Sequence, residues 1–285
     1  MPRFALVASL VAVALAAPAA ASADVRQEDA KHPSPGGDVA AQLTYDKKSD
    51  FEYADMRIKI TRGGATLLDA LVPEPCDECP ASPAGLGDPE NPSLRLTDLN
   101  GDGEPEALVD LYTGGAHCCT YTQLYRFDAA ANAYRRVKQA WGDYGYTLVD
   151  LDKDGKPELR SADWRFAGAF TAYAASGAPL QIWRFTGTRF QDATRSFRSL
   201  VKQDLRQWLR LYRRWRDDSE TPEVRGFLAA YAANKYVLGQ SDSAFDLINA
   251  AYRRGDLNPP AEFGGPRGKR YISELRKFLR RTGYR

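Results

Sequence analysis

The chain has 285 residues, of which 44% are hydrophobic and 27% charged, and its formal net charge is +2. This length predicts one large domain or two ordinary ones. We expect no nucleic-acid partner. After the first 23 residues no segment is apolar enough to cross a bilayer, so we expect no transmembrane segment in the mature chain.

The N-terminus has the layout of a secretory signal peptide. Arg3 precedes an apolar run, which is followed by small residues ending in Ala21, Ser22 and Ala23. This pattern predicts cleavage after Ala23 and export, either to the periplasm and cell envelope or out of the cell. Residues 24–38 are polar and rich in Pro and Gly, which predicts a flexible leader.

Charge and sequence pattern both change near residue 195. Residues 195–285 contain 20 Lys and Arg against 10 Asp and Glu, whereas the rest of the chain contains 19 against 27. Short runs rich in β-branched and aromatic residues fill the segment 39–193 and predict mostly antiparallel strands. These runs lie at 39–45, 55–62, 93–99, 106–113, 120–127, 146–152, 158–166, 170–176 and 180–186.

The basic segment 195–285 has helical periodicity. Apolar residues recur at three- and four-residue steps in its first part, as in Leu205, Trp208, Leu209 and Tyr212. This spacing predicts an amphipathic helix, and later start and stop signals raise the total to about four helices. We therefore predict an α+β fold, in which a propeller-like or layered β domain at 39–193 precedes a basic helical subdomain at 195–285.

Arginines cover the polar face of the first predicted helix, among them Arg206, Arg210, Arg213 and Arg214. A basic amphipathic helix can lie on an anionic surface such as phospholipid or teichoic acid. The ordinary interpretation is a solvated face on a packed helical subdomain. Both interpretations stay open.

Two acidic segments form an internal repeat. "TDLNGDGEPEAL" begins at Thr97 and "VDLDKDGKPELR" begins at Val149, an offset of 52 residues. Ca²⁺ prefers six to eight oxygen ligands, which alternate carboxylates and a main-chain carbonyl of a tightly turned loop can supply. We therefore predict two Ca²⁺ sites, whose structural role is to neutralise clustered carboxylates. The predicted ligands, with Glu104 and Lys156 acting through main-chain carbonyls, are Asp98, Asn100, Asp102, Glu104, Glu106, Asp150, Asp152, Asp154, Lys156 and Glu158.

These loops differ from an EF-hand, since the twelfth loop position holds Val109 or Ser161 in place of Glu. Over residues 90–190 they resemble the calcium loops of FG-GAP and VCBS repeats. The combination with "GGAHCC" also resembles exported bacterial proteins of that repeat type. The resemblance implies that each loop joins two strands of a blade-like sheet. A closed propeller needs at least four blades, for which the chain lacks room, so about three units are expected.

"GGAHCC" at 114–119 brings His117 next to Cys118 and Cys119, and the other two cysteines are Cys76 and Cys79. In an oxidising compartment four cysteines favour disulfides. We favour cross-links between the two segments, while a local Cys76–Cys79 bond with a vicinal Cys118–Cys119 bond stays open. His117 is expected to be a structural hydrogen bonder or to line a pocket.

Sequence motifs of common enzyme classes are missing, since the chain has no G-x-S-x-G, H-E-x-x-H, P-loop or dinucleotide fingerprint. We assign no catalytic residue. The sequence predicts an exported, calcium-binding, disulfide-stapled binding or scaffolding protein of the cell envelope or extracellular space, with a protein or glycan ligand. One alternative is a hydrolase of envelope polymers that uses His117 and loop carboxylates. Another is a binder of anionic surfaces through the basic helices.

Overall fold

The protein is described from a computed structural model, which covers residues 24–50, 52–74, 79, 81–88, 90–115, 118–218 and 223–284. The predicted signal peptide at 1–23 lies outside the described residues, so its cleavage stays a prediction. The side chains of Cys76 and His117 also lie outside the described residues.

Thirteen strands in the described residues form three antiparallel sheets. The first sheet has the order β1-β2-β3-β4, the third β10-β11-β12-β13, and the second β5-β7-β8-β9 with β6 also paired to β7. The predicted antiparallel β-structure is confirmed, whereas the propeller-like arrangement stays a prediction. The strands are β1 (Asp24–His32), β2 (Val39–Lys47), β3 (Tyr53–Arg62), β4 (Ala65–Leu71), β5 (Ser82–Pro83), β6 (Leu94–Thr97), β7 (Glu106–Gly115), β8 (Cys118–Asp128), β9 (Ala133–Gly142), β10 (Thr147–Val149), β11 (Glu158–Ala162), β12 (Leu180–Phe185) and β13 (Phe190–Asp192).

The sheets pack face to face, with the second sheet in the middle. Successive side chains of a strand point to opposite faces, and on β7 both faces are buried. Val109 and Leu111 pack in one core with Ile58 of the first sheet, whereas Leu108 packs in another with Phe185 of the third sheet. The acidic repeat therefore lies on strands that belong to the second and third layers.

The prediction of a flexible leader at 24–38 is wrong for its first nine residues, which form β1 and pair along their whole length with β2. The carboxylate of Glu28 anchors this strand. It accepts hydrogen bonds from the Tyr45 hydroxyl at 3.0 Å and from the main-chain N–H groups of Ser93 at 2.6 Å and Leu94 at 2.9 Å. An edge strand needs few apolar residues, and charged side chains protect it from pairing with another chain. Its composition is therefore similar to that of a disordered segment.

Within the part of the chain that the structure describes, four α-helices follow the sheets, as predicted. In α1, Tyr212 is fully buried and Trp208 partly buried against the same core, whereas Trp215 is 47% exposed. Gly255 ends α3 in a left-handed conformation at φ 91°. None of the described helices has the length and apolar character that crossing a bilayer requires. The helices are α1 (Arg198–Asp218), α2 (Arg225–Val237), α3 (Ser241–Arg254) and α4 (Gly268–Arg281).

The predicted strand at 170–176 is wrong. Tyr173–Ala175 is a single 3-10 turn, and Phe170 is buried with its ring centroid 5.1 Å from that of Phe278 in α4. This segment is rich in apolar residues because it packs under a helix. Its composition is therefore the same as that of a buried strand.

The hydrophobic core continues across the predicted boundary near residue 195. Phe166 and Ile182 of the β part share one buried cluster with all four helices. The Tyr284 hydroxyl also donates to Asp163 Oδ2 at 2.9 Å, and Arg165 Nη1 donates to the carbonyl of Thr282 at 3.1 Å. Secondary structure therefore changes near residue 195, but the core does not end there.

Candidate metal centres in two matching loops

Both acidic segments lie at equivalent places in their sheets. Loop 1 (residues 97–106) joins β6 to β7, and loop 2 (residues 149–158) joins β10 to β11. Each loop links two neighbouring antiparallel strands. The strand pairing closes each loop at the same point, Thr97 opposite Glu106 and Val149 opposite Glu158.

The first aspartate of each loop holds the turn together. Asp98 Oδ2 accepts the N–H of Gly103 at 2.8 Å, and Asp150 Oδ2 accepts the N–H of Gly155 at 2.9 Å. The other oxygen, Oδ1, accepts the N–H of Gly101 in loop 1 and of Asp154 in loop 2. A carboxylate can make such bonds to nearby main-chain donors in a tight turn.

The third acidic position and the final glutamate also match. Asp102 Oδ1 accepts the N–H of Glu104 at 2.8 Å, and Asp154 Oδ1 accepts the N–H of Lys156 at 2.9 Å. In each loop the final glutamate is buried and accepts a main-chain N–H near the loop start. Glu106 Oε2 accepts from Leu99 at 2.9 Å and Glu158 Oε2 from Leu151 at 2.8 Å. The 52-residue repeat is thus a repeat of hydrogen bonds as well as of letters.

Backbone conformation repeats at two positions of each loop. Gly103 and Gly155 have φ of 85° and 86°, which glycine adopts without steric cost. Gly101 has φ 76°, and Lys153 at the equivalent position has φ 63°. Lys153 therefore adopts a left-handed conformation, which is unfavourable for a residue with a Cβ atom.

Loop 1 concentrates negative charge around a buried acid. Glu106 is 3% exposed, and burial, with the nearby charges of Asp102 and Asp98, raises its pKa to about 8. Glu104 does not add to this charge, because Arg62 pairs with its carboxylate through two hydrogen bonds of 2.9 and 3.0 Å. Only the main-chain carbonyl of Glu104 is thus left for the predicted ligand role.

Loop 2 brings three carboxylates together around an arginine. Oxygens of Asp150, Asp152 and Glu158 lie within 4.8 Å of one another. Two ligands about 2.4 Å from one Ca²⁺ ion lie at most about 4.8 Å apart, so this spacing fits a shared ion. Arg184 on β12 pairs with Asp152 and donates from Nε to Glu158 Oε1 at 2.8 Å. Arg184 therefore already neutralises part of this site.

The two loops face a common cleft of about 410 Å³, lined by residues of both, including Asp102 and Asp154. A Cβ atom added to Gly101 of loop 1 would lie 2.6 Å from Lys156 Cε of loop 2. The letters of the sequence pair the two loops, but they give no sign of the contact between the loops or of the part played by Arg184. Arg184 lies 26 residues after Glu158 in an ordinary strand pattern, so no local signal marks it.

The other predicted functional residues have mixed outcomes. Cys79 and Cys119 are disulfide-bonded, and the described residues include no free cysteine. The described residues do not define the pairing of these cysteines, so the predicted connectivity stays a prediction. His117 lies outside the described residues, and its predicted pocket with it.

The basic face predicted on α1 is exposed at its four arginines, which are spaced so that they share one side of the helix. They are Arg206, Arg210, Arg213 and Arg214. Their exposure fits both interpretations of this face, so contact with an anionic surface stays a prediction.

Three antiparallel sheets packed on a four-helix unit define an α+β protein, and comparisons with known proteins give its relatives. Residues 202–283, which cover nearly all of the helical part, match the family described as the sll0997 C-terminal domain. The chain is 31% identical over 229 residues to the probable thylakoid lumen protein sll0997 of Synechocystis, and 32% identical over 217 residues to the uncharacterised protein y4bJ of Sinorhizobium fredii.

These alignments cover 76% and 70% of the chain, respectively. They cover 62% of sll0997 and 33% of y4bJ, so the chain spans less than two thirds of either relative. No solved structure matches the chain.

Proposed function

We propose that the chain is an exported calcium-binding protein that acts as a binding or scaffolding component of the cell envelope or extracellular space. Loops 1 and 2 bind one Ca²⁺ ion each, and the ions have a structural role. The proposal assigns no catalytic residue. The hydrolase alternative depends on His117, which lies outside the described residues, and it stays a prediction together with the anionic-surface alternative.

The observation that carries the proposal is the repeated hydrogen-bond pattern of the two loops. In each loop main-chain N–H groups occupy some carboxylate lone pairs and thereby orient the remaining oxygens. Hard oxygen ligands on a rigid turn suit Ca²⁺, and soft ligands are missing from the two segments. Burial, with the nearby charges of Asp102 and Asp98, raises the pKa of Glu106, and a bound ion would offset the repulsion between these three carboxylates.

Export is supported by the signal-peptide pattern and by the name of one relative, since sll0997 is described as a probable thylakoid lumen protein. The proposed architecture is an FG-GAP- or VCBS-like set of three blade-like sheets. Each calcium loop joins two antiparallel strands of one sheet, as the resemblance implies. Disulfides between the segments around Cys79 and Cys119 are part of the same proposal.

Thermal unfolding of residues 24–285 in EDTA and in 1 mM Ca²⁺ tests the proposal. If each site binds at about 0.1 mM, linkage gives about 1.4 kcal/mol per site, and two sites raise the melting temperature by roughly 5–10 °C. The rise should vanish in an Asp102→Ala, Asp154→Ala double variant. Asp69→Ala is the matched control, because Asp69 is an exposed acid outside both loops.

Single variants then separate the loops. Because no described basic side chain pairs with Asp98, Asp102 or Glu106, whereas Arg184 pairs with loop 2, Asp102→Ala should remove the larger part of the rise. A melting temperature unchanged by 10 mM Ca²⁺ would leave both loops as polar turns and refute the proposal.

A further inference from the structure

The exposed face of α1 carries a single row of positive charges. This basic row consists of Lys202, Arg206, Arg210 and Arg213, and all four residues are exposed. Their spacing of four, four and three residues places them within about 80° of the helix circumference and along about 16 Å of its axis. Successive cations are therefore separated by about 4.5–6 Å along the helix.

The positive charge of the basic row is not compensated within the protein. None of the four cations forms an ion pair with a described residue. Of the acids of α1, Asp217 pairs with Arg216 at 2.6 Å. Asp204 faces the core, where it accepts a hydrogen bond from Trp208 Nε1 at 2.9 Å. Like charges three or four residues apart destabilise a helix, so three neighbouring pairs in the row repel each other and an anionic partner would relieve this repulsion.

The apolar face of α1 is already used by the protein itself. Tyr212 is fully buried on that side, and the ring of Trp208 stacks on that of Phe227 with centroids 6.1 Å apart. A helix that lies in a membrane surface buries its apolar face among the lipids. Since the core occupies that face of α1, a partner of α1 must be held by the charges of the basic row.

The other exposed residues of this face narrow the kind of partner. They are Ser199, Gln203 and Gln207, and Arg214, which makes another interaction, lies at the edge. Proteins that bind single-stranded nucleic acid combine cations with aromatic side chains on which the bases stack. No described residue on this face is aromatic, whereas the two glutamine amides can donate hydrogen bonds to oxygens. The face therefore suits a polyanion that is rich in oxygen and has no bases.

We propose that the basic row binds a linear anionic polymer of the cell envelope, whose negative groups follow the helix axis and pair with successive cations. A single row of cations matches a chain, whereas a flat membrane would meet only one line of charges. Arginine donates two parallel hydrogen bonds to a phosphate or to a carboxylate, so the shared chemistry is a chain of either group. The inference rests on the proposed binding role in the envelope, for which it names the ligand class.

The test measures binding of two fluorescently labelled polymers to residues 24–285 by anisotropy, in EDTA. Poly(glycerol phosphate) is the phosphate probe and polygalacturonate the carboxylate probe, and the polymer that binds more tightly identifies the group. The logarithm of the binding constant should fall with the logarithm of salt concentration with a slope of about −3, since each cation contributes about −0.7. Free glycerol phosphate should compete only weakly, because it pairs with one cation at a time. Because Ca²⁺ is absent, this test and the calcium test can fail separately.

Double variants link binding to the basic row. Arg206→Gln, Arg210→Gln removes the middle of the row and should weaken binding at least about tenfold and reduce the slope to about −1.4. Arg189→Gln, Arg253→Gln is the matched control, because it removes the same charge from two exposed arginines outside the row, and it should keep the slope near −3. Glutamine is a good helix former and removes the repulsion, so the first variant should melt no lower than the parent.

Three results would each overturn the proposal. One is the absence of saturable binding of either polymer at about 50 mM salt, where contacts with a polyanion are strong. Another is an equal loss of affinity in the two double variants, which would show that only the overall charge matters. The last is binding to vesicles of phosphatidylglycerol and phosphatidylcholine that is as tight as polymer binding at equal anionic charge and is lost in Arg206→Gln, Arg210→Gln. That result would assign the basic row to a membrane surface.

Discussion

Loops 1 and 2 share a backbone but not a charge environment. Both close with the same main-chain bonds to their first aspartate and their final glutamate. Arg184 pairs with two acids of loop 2, whereas none of the described basic side chains forms an ion pair with the three predicted carboxylate ligands of loop 1. By strand pairing the position equivalent to Arg184 is Arg126 on β8, since Trp183 lies opposite Leu159 and Tyr125 opposite the matching Ala107. Among the described residues Arg126 forms no ion pair with a carboxylate of loop 1. A repeated motif can therefore keep its geometry while distant residues set its need for a cation.

The largest expected effect comes from removing the arginine of loop 2. Arg184→Met leaves Glu158, which is fully buried, without its cationic partner. We expect a loss of about 2–4 kcal/mol in the free energy of unfolding in EDTA, toward the lower end because Arg184 is partly exposed. Urea unfolding in EDTA and in 1 mM Ca²⁺ measures this loss, and Ca²⁺ should restore more of it than it adds to the parent.

Arg57→Met is the control for this variant, since the Arg57–Asp69 pair is exposed on both sides and should cost less than about 1 kcal/mol. Equal losses in the two variants would show that Arg184 does not compensate a buried charge. The difference between the two loops would then disappear.

A smaller effect is expected from the buried acid of loop 1. The pKa of Glu106 is raised to about 8 in the folded protein from an ordinary value of 4.5. Between these pH values the folded state holds a proton that the unfolded state has lost, so Glu106 makes the protein less stable as pH rises from about 5 to 8. Glu106→Gln removes this titration and can keep an oxygen acceptor for the Leu99 N–H group.

We therefore expect Glu106→Gln in EDTA to be more stable than the parent. The difference in the free energy of unfolding should grow toward pH 8, where it reaches about 1–2 kcal/mol after allowance for solvent penetration. Melting curves at pH 5, 6, 7 and 8 measure this difference. Glu90→Gln, at an exposed position, should follow the parent at every pH. If the melting temperatures of the parent and Glu106→Gln changed with pH in parallel, Glu106 would not carry an uncompensated charge in loop 1.

The smallest effect concerns the left-handed backbone position that holds glycine in loop 1 and lysine in loop 2. Lys153 has φ 63°, where loop 1 has Gly101. Lys153→Gly should raise the free energy of unfolding by about 0.5–1 kcal/mol, because glycine adopts this conformation without strain and the gain exceeds its entropy cost. Gly101→Ala should lower it by a similar or larger amount. Chemical denaturation in EDTA measures both, and a destabilised Lys153→Gly would show that Lys153 is not strained.

Part of the fold could be predicted because its signals are local. Residue periodicity and the positions of Gly, Pro and Asp predict the strands on either side of loops 1 and 2. The same signals predict the four helices. β1 and β9 were missed, since an edge strand and a strand with many charged residues have no clear apolar alternation. The segment 170–176 has the apolar composition of a strand because it is buried under α4, although it forms a 3-10 turn.

The candidate site divides in the same way. The acidic letters, their 52-residue offset and the turn glycines are properties of the sequence alone, because the hydrogen bonds that shape each loop join residues at most seven positions apart. Only the tertiary structure brought Arg184 to loop 2 and placed both loops on one cleft. Charge compensation and cavities depend on which layers pack together, and the packing of layers is determined by the whole chain rather than by any one segment.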